Sequence, residues 1–343
     1  MSEERVLLAH GDGGELMGEL IERIFVSRLG TGEPPGDDSA RIGLWQEASS
    51  CRTGARLVFT TDAFVVDPIF FPGGDIGKLA VCGTVNDLAA AGARPVALSA
   101  SFILEEGLLI SDLERIVDSM GAAAEEAGVR VICGDTKVVP RGSADRVYIT
   151  TSGVGEVPEG VEVSGSGARA GDVVLVSGPM GDHGLAVLSR REGLEFESEI
   201  VSDCAPLAGM VEGLLEAATG VRVLRDPTRG GLATALNEIA RQSQVAIEIE
   251  ESAVPVRESV AAACEMLGLD PLYAANEGKM IVVVAEEGAE VALETLRAHP
   301  LGAEAAAVGR VDEAREGRVL LKTALGTLRI LDRHVGGEMP RIC

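Results

Sequence analysis

The helical stretch Ile76–Ala91 limits the fold more than any other part of the chain. At ~100° per residue, Ile76, Leu79, Ala80, Gly83 and Ala90 share one face, and Asp87 falls in the middle of it. An ionised carboxylate on a buried stripe is costly unless it is paired or holds a metal. The helix that builds the core therefore also points to a site. Around it, Leu57–Thr61, Val96–Leu104, Val129–Cys133 and Arg146–Val154 read as strands, and Asp112–Ala127 as a second helix. Upstream, Val6–Ala9 reads as a short strand entering His10-Gly-Asp-Gly-Gly14. Glu15–Leu29 has helical spacing, and Glu33-Pro-Pro-Gly-Asp-Asp38 is a turn cluster.

The best candidate linker is Gly153-Val-Gly-Glu-Val-Pro-Glu-Gly160 followed by Ser164-Gly-Ser-Gly167. Beyond it, Asp172–Ser177 restarts with a buried-strand signal. Val245–Ile249, Met280–Ala285, Ala305–Val311 and Val319–Leu321 continue in strands, and Asp182–Arg191, Cys204–Ala218, Thr228–Gln242 and Val256–Leu267 in helices. A length of 343 residues, at ~100–200 per domain, suits two domains. The expected organisation is a Gly-rich segment at 1–40, a domain at 41–158, a second α+β domain at 159–335, and a flexible tail at 336–343.

Function classes fall away on charge and composition. Lys+Arg 30 against Asp+Glu 54 gives −24, a field that repels phosphate backbones and anionic lipid, so neither nucleic acid nor membrane is expected as a partner. No apolar run approaches the ~20 residues of a membrane span, since Arg94 interrupts Leu88–Leu104. The six cysteines are widely spaced with no Cys-x-x-Cys pair, and Met1-Ser-Glu-Glu-Arg5 lacks the order of a leader. A reducing cytoplasm is the expected compartment. The P-loop fails as well: the stretch ending in Gly77-Lys78 has Pro72 and Leu79 where glycine and a hydroxyl belong.

What survives is a set of carboxylates placed after strands or on apolar surface: Asp37, Asp38, Asp62, Asp87 and Asp135. Each alone reads better as a turn former or a cap. Together they suit Mg²⁺, which is commonly held by one or two carboxylates plus nucleotide phosphates. Asp226-Pro-Thr-Arg-Gly-Gly231 reads equally as an N-cap with proline at the first helical position, or as a helix start facing phosphate with Arg229. Lys137 and Glu277 read locally as surface charges, and His183 as a loop histidine. Cys343 is conspicuous, because eight residues from Gly336 span roughly 26 Å at ~3.3 Å each, enough to carry a terminal thiol into a cleft.

These residues closely resemble the HypE family of hydrogenase-maturation carbamoyl dehydratases, within the superfamily of aminoimidazole ribonucleotide synthetase, selenophosphate synthetase and thiamine-monophosphate kinase. The resemblance rests on Leu8-Ala-His-Gly, Thr61-Asp-Ala-Phe-Val-Val-Asp-Pro68, Phe70-Phe-Pro-Gly-Gly74, Asn86-Asp87, Phe102-Ile-Leu-Glu-Glu-Gly107 and Gly134-Asp-Thr-Lys-Val-Val139. Gly181-Asp-His-Gly184, Asp226-Pro-Thr-Arg-Gly-Gly231, Asn276-Glu-Gly-Lys279 and the terminal Pro340-Arg-Ile-Cys343 complete it. It implies an α+β fold of two domains of the aminoimidazole ribonucleotide synthetase type, with N-terminal sheets forming a shared barrel in a homodimer. It implies that a partner carbamoyl transferase loads Cys343, and that Mg-ATP drives dehydration of the carbamoyl group to a thiocyanate. An iron-carrying hydrogenase assembly complex then accepts the cyanide. On this basis Cys343, Lys137 and Glu277 are the expected catalytic residues. Asp37, Asp38, Asp62, Asn86, Asp87, Asp135, Thr136, Asp226 and Arg229 are the expected nucleotide-binding set, with Asp62, Asp87 and Asp226 on Mg²⁺.

Three other readings compete. A selenophosphate synthetase would place its reactive residue in the N-terminal glycine-rich segment, where residues 10–14 have no cysteine, and a small-molecule kinase has no use for a terminal thiol. A non-catalytic carrier would hold the group on its tail without needing ATP, which leaves the aspartates without a purpose. An acidic scaffold for basic partners would work as well without the Cys343 thiol.

Overall fold

The computed structural model describes Glu15, Glu19 and residues 40–42, 56–194, 200–313, 317–333 and 341–343. Strands β1 (Ala40–Ile42), β2 (Arg56–Phe64), β3 (Phe70–Phe71) and β4 (Gly74–Asp75) lead into helix α1 (Ile76–Ala90). Then follow β5 (Arg94–Glu105), α2 (Ile110–Glu126), β6 (Val131–Val139) and β7 (Val147–Val157). The first sheet has the order β1-β2-β7-β5-β6, antiparallel except for β5 and β6, which run parallel and are joined through α2. On β7 the positions Val147, Ile149, Thr151, Gly153, Gly155 and Val157 are buried and alternate with more exposed neighbours, as period-2 geometry requires of a sheet covered on one face.

Thirteen of the fifteen α1 residues are buried. A helix that is apolar all round is a core helix, and α1 lies between the first sheet and the second half of the chain. Asp75 caps it, accepting from Gly77 N–H (2.7 Å) and Lys78 N–H (3.1 Å). Gly153 lies opposite. A β-carbon there would come within 2.9 Å of Leu88, Leu98 and Thr84. The glycines at 153 and 155 therefore belong to β7 and its close packing on α1, and the strand runs past the expected linker start to Val157.

The second half contains β8 (Val173–Val176), α3 (Asp182–Glu192), α4 (Ala208–Ala217), β9 (Val221–Arg225), α5 (Gly231–Ser243), β10 (Ala246–Glu250) and α6 (Glu258–Leu267). It ends with β11 (Ile281–Val284), α7 (Glu286–Ala298), β12 (Ala306–Asp312), β13 (Val319–Lys322) and β14 (Leu328–Ile330). Its sheet has the order β14-β13-β10-β12-β8-β11-β9. Val174, Val176, Ile281 and Val283 pack with Leu232, Leu236 and Ile239 of α5. The alternate residues Val173, Leu175, Val282 and Val284 pack with Met210 and Leu214 of α4 and Leu296 of α7 on the opposite face. Covering on both faces explains why β8 and β11 are continuous β-branched and aliphatic runs.

Several elements differ from the sequence expectation for local reasons. β2 extends to Phe64, so Asp62 lies inside the strand and does not end it. β6 extends to Val139 and takes in Asp135, Thr136 and Lys137. Helix α5 starts at Gly231, with Gly230 left-handed at φ 75°, so Asp226 and Pro227 lie upstream and are not its cap and first turn. The expected Val6–Ala9 strand, the 10–14 loop and the turn holding Asp37 and Asp38 lie outside the described residues.

The two halves are pinned by Asn86. Its Nδ2 donates to Ala205 O (3.1 Å) and Glu277 O (3.0 Å), and its Oδ1 accepts from Leu207 N–H (2.8 Å). Both amide hydrogens are spent on the fold, so Asn86, expected to bind nucleotide, has no donor left for one. Leaving such buried groups unpaired costs ~1–3 kcal/mol each. Asn86→Ala is expected to lower stability by about 3 kcal/mol, read by calorimetry as a Tm fall on the order of 5–10 °C.

Candidate active site at the junction of the two halves

Four pieces of chain meet beside α1. β2 contributes Asp62, which with Val58, Thr60 and Phe64 turns toward the helix; a β-carbon at Gly83 would lie 3.8 Å from Asp62 Oδ2. The helix contributes Asp87, whose Oδ2 accepts from Thr60 Oγ1 (2.8 Å). The segment after β9 contributes buried Asp226 and, three residues on, Arg229. The segment before β11 contributes Asn276 and Glu277, both buried.

Asn276 ties these segments together. Its Oδ1 accepts from Gly181 N–H (2.7 Å), and its Nδ2 donates to Pro227 O (3.1 Å) and Ala274 O (3.0 Å). Gly278 must be glycine because a side chain would collide with the Asp203 carbonyl. That close approach lets Asp203 Oδ1 accept from Glu277 N–H (3.1 Å). Glu277 Oε1 is buried and has no hydrogen-bond partner among the described residues. Burial, reinforced by Cys204, Asp226, Asp62 and Asp203, holds its pKa well above the usual carboxylate range.

The end of the chain is docked here. Val65 N–H donates to Cys343 O (3.2 Å) and Asp67 N–H to Arg341 O (3.3 Å), an antiparallel pairing with the stretch that follows β2. Arg341 Nε donates to Val65 O (3.1 Å), and its Nη1 to Asp145 Oδ2 (2.6 Å). Ile342 and Cys343 are buried. Of the tail expected to be flexible, residues 336–340 lie outside the described residues; Ile342 and Cys343 are docked in buried positions and Arg341 is half-buried. Burial pushes the Cys343 thiol up to about 12, against the opposing pull of Arg229. Arg229 in turn is raised above its ordinary value, by Cys343 first and by Asp62, Glu277 and Asp87 after it, with burial acting against the rise. Asp62 is raised by burial, with Arg229 acting against that rise.

One guanidinium thus faces Asp62, Asp87 and Glu277, with Asp226 close to Glu277. Such a set can accept a cation and amide N–H donors. Among the described residues no three His, Cys, Asp or Glu side chains are arranged to hold a metal by themselves, so the expected Asp62, Asp87 and Asp226 do not form an all-protein cage. Their chemistry fits Mg²⁺ whose remaining positions are filled by phosphate and water.

A family profile described as AIR synthase related protein, N-terminal domain, matches residues 36–157, and its C-terminal counterpart matches residues 169–322. Carbamoyl dehydratase HypE of Rhizobium leguminosarum bv. viciae is 54% identical over 99% of this chain and 95% of its own length. The chain belongs to the HypE family of carbamoyl dehydratases. The family is one of enzymes, so this chain is an enzyme. Among solved structures, a HypE–HypF complex matches with a TM-score of 0.84 at 48% identity, covering 92% of this chain and 99% of that one. HypE in complex with ATP matches at 0.82 and 50%, covering 99% and 100%. The mixed two-domain fold is thus the HypE fold.

In this HypE-family chain the residues named from sequence divide into two places. Asp62, Asp87, Asp226, Arg229, Glu277 and Cys343 converge. Asp135, Thr136 and Lys137 do not join them within one chain. They lie on the exposed edge strand β6, where Lys137 Nζ contacts Asp135 Oδ1 at 2.7 Å and Oδ2 at 2.5 Å. That contact and the Thr136 N–H (2.8 Å) hold Asp135 below its usual pKa. Lys137 is not among the groups acting most strongly on Cys343, Glu277 or Arg229. Sequence reasoning missed His183, Arg191, Ser202 and Asp203. Only Gly181-Asp-His-Gly184 offered a signal, and burial of a histidine cannot be read from its neighbours.

Proposed function

We propose that this chain converts a carbamoyl group on the sulfur of its own Cys343 into a thiocyanate, at the expense of ATP, as a source of the cyanide ligands of the [NiFe]-hydrogenase iron. The observation that carries this reading is the docked tail, which sets the Cys343 thiol in the electrostatic field of Arg229, Glu277, Asp62 and Asp226. Glu277 Oε1 has no partner among the described residues. An N–H of the thiocarboxamide is the donor that would satisfy it.

Mg-ATP, when bound, supplies the phosphoryl group that makes the carboxamide oxygen a leaving group, with the metal offsetting charge at the transferring phosphoryl. Asp62, Asp87 and Asp226 would hold the metal. Arg229 would face the phosphates and the developing negative charge on oxygen. Glu277 takes a proton from nitrogen, and desolvation raises its basicity toward the range a general base needs. Over the cycle the carboxamide oxygen leaves on phosphate, both N–H protons leave nitrogen, and carbon is left triply bonded to nitrogen on Cys343.

A homodimer accommodates Lys137. The face of the first sheet turned away from α1 and the edge strand β6 expose Phe59, Val96, Ile103, Val131, Ile132 and Val138. Joining two such sheets in a shared barrel covers this apolar surface and offers the Asp135–Lys137 segment a route to a neighbouring site, where Lys137 would assist deprotonation and Asp135 and Thr136 would meet nucleotide. The carbamoyl donor is a separate transferase, as the complex of a relative with HypF supports, and an iron-carrying assembly complex is the acceptor. The expected place of work is the cytoplasm; no helix among the described residues is long and apolar enough to cross a membrane.

The test follows the mass of the C-terminal peptide. Protein loaded by a carbamoyl transferase and then isolated should carry a carbamoyl adduct on Cys343 that loses one water only when Mg-ATP is returned. An adduct that persists would make the chain a carrier.

A further inference from the structure

Nothing in the dehydratase reading gives a task to His183, yet it grips the substrate-bearing tail. It lies in the first turn of α3, fully buried, with its ring edge-to-face against Phe71 at 5.3 Å between centroids. Its Nε2 is 2.9 Å from Ile342 O and its Nδ1 is 2.8 Å from Ser202 Oγ. The carbonyl can only accept, so Nε2 carries the proton and Nδ1 is left to accept from the Ser202 hydroxyl. Ser202 Oγ in turn accepts from Cys204 N–H (3.1 Å), which leaves its own hydrogen for His183. Burial lowers the pKa of His183 and keeps it in this neutral form. Arg191 adds a second grip through Nη2 to Arg341 O (2.6 Å) while Nε donates to Asp67 O (2.7 Å).

We propose that His183, oriented by Ser202, is the positioning residue that seats the C-terminal tail for dehydration. The inference rests on the dehydratase reading above. Ser202 and Asp203 are adjacent, and they serve the two reacting ends of the site: Ser202 fixes the tail through His183, and Asp203 fixes the Glu277 backbone. Docking must also be reversible. In the docked tail Cys343 is only 8% exposed, so a separate transferase cannot reach its sulfur there and the tail has to leave to be loaded. Arg341 favours that release, because it docks with φ 59°, a left-handed conformation that a non-glycine residue holds only while the hydrogen bonds around it last.

The experiment uses iodoacetamide on the full-length protein and reads alkylation of Cys343 by mass on the peptide following Glu338. A cysteine-containing peptide added to the same reaction serves as the reference. One neutral hydrogen bond is worth about a fivefold change in an equilibrium. His183→Ala is expected to raise the ratio of Cys343 to reference rates about fivefold or more, and Ser202→Ala, which leaves the ring in place, about twofold to threefold. In the same variants dehydration of isolated carbamoylated protein should slow, while loading by the transferase holds or quickens. If His183→Ala does not fold, Ser202→Ala decides alone. An unchanged ratio, or loading that falls in step with dehydration, would overturn the proposal. A wild-type protein that protects Cys343 but never loses water on addition of Mg-ATP would overturn the dehydratase reading, whereas a changed ratio in the variants would still establish the docking role.

Discussion

Cys343→Ala is expected to fold, to bind Mg-ATP as the parent does, and to form no thiocyanate at all. The fold should survive because the tail is docked by backbone groups. Val65 N–H, Asp67 N–H and His183 Nε2 all reach main-chain oxygens of the last three residues, and none touches sulfur. Removing one buried sulfur atom costs on the order of 1 kcal/mol, small beside the total stability of such a chain. Nucleotide affinity should hold within about twofold, because Asp62, Asp87 and Asp226 are untouched and Cys343 reaches Arg229 only as a neutral thiol, its pKa near 12. Product formation has no such fallback, since in the proposed reaction sulfur is the atom that carries the group. Mass spectrometry of the C-terminal peptide after loading and Mg-ATP checks the first claim, and titration calorimetry the second. A non-catalytic scaffold would behave the same with or without the thiol, so retained function in this variant would remove the tail mechanism outright.

The elements of this molecule were legible where burial is one-sided or complete over a whole run. Val173–Val176 and Ile281–Val284 are of that kind, because packing on both faces leaves only aliphatic residues to choose from. Ile76–Ala90 is nearly so, its few polar residues such as Asn86 and Asp87 being the ones the site and the junction use. Strand ends were harder. Asp62 and Asp135 look like the close of a strand, since a charged residue rarely continues one. In the fold Asp62 faces a functional cleft, and Asp135 stands on an edge strand exposed to solvent, so neither meets the penalty that would end the pairing. Val221–Arg225 and Glu286–Ala298 were missed, the first because Arg222 and Arg225 interrupt a short strand. They are accommodated there by Asp172 at 3.0 Å and Glu238 at 3.0 Å, partners remote in sequence. The site divides along the same line. Carboxylates announce themselves by residue type, whereas the burial of Glu277 and His183 and the docking of Arg341–Cys343 depend on chain segments more than 70 residues apart meeting in space.

Glu277→Gln is the sharper probe of the chemistry. In the docked structure the carboxyl is desolvated and surrounded by Cys204, Asp226, Asp62 and Asp203, all of which raise its pKa. Burial thus disfavours its charged form, and glutamine, of the same shape and neutral, should replace it with little loss of stability. Rate is another matter. A general base must be ionised to take the nitrogen-bound proton, so dehydration in the parent should rise with pH through the raised pKa of Glu277 and level off above it. A glutamine has no ionised form. The variant is expected to dehydrate isolated carbamoylated protein ~10²–10⁴-fold more slowly and to lose the rising limb of the pH profile, while accepting the carbamoyl group as before. Single-turnover water loss, followed by mass across a pH series, measures both features in one experiment. A fall of less than about tenfold, or a limb that persists in the variant, would move the proton abstraction to another group. Lys137 on the exposed strand β6 is then the next to be tested. The unpartnered Oε1 favours Glu277, because a buried acceptor with no donor among the described residues is a cost the fold bears until a substrate N–H arrives to offset it.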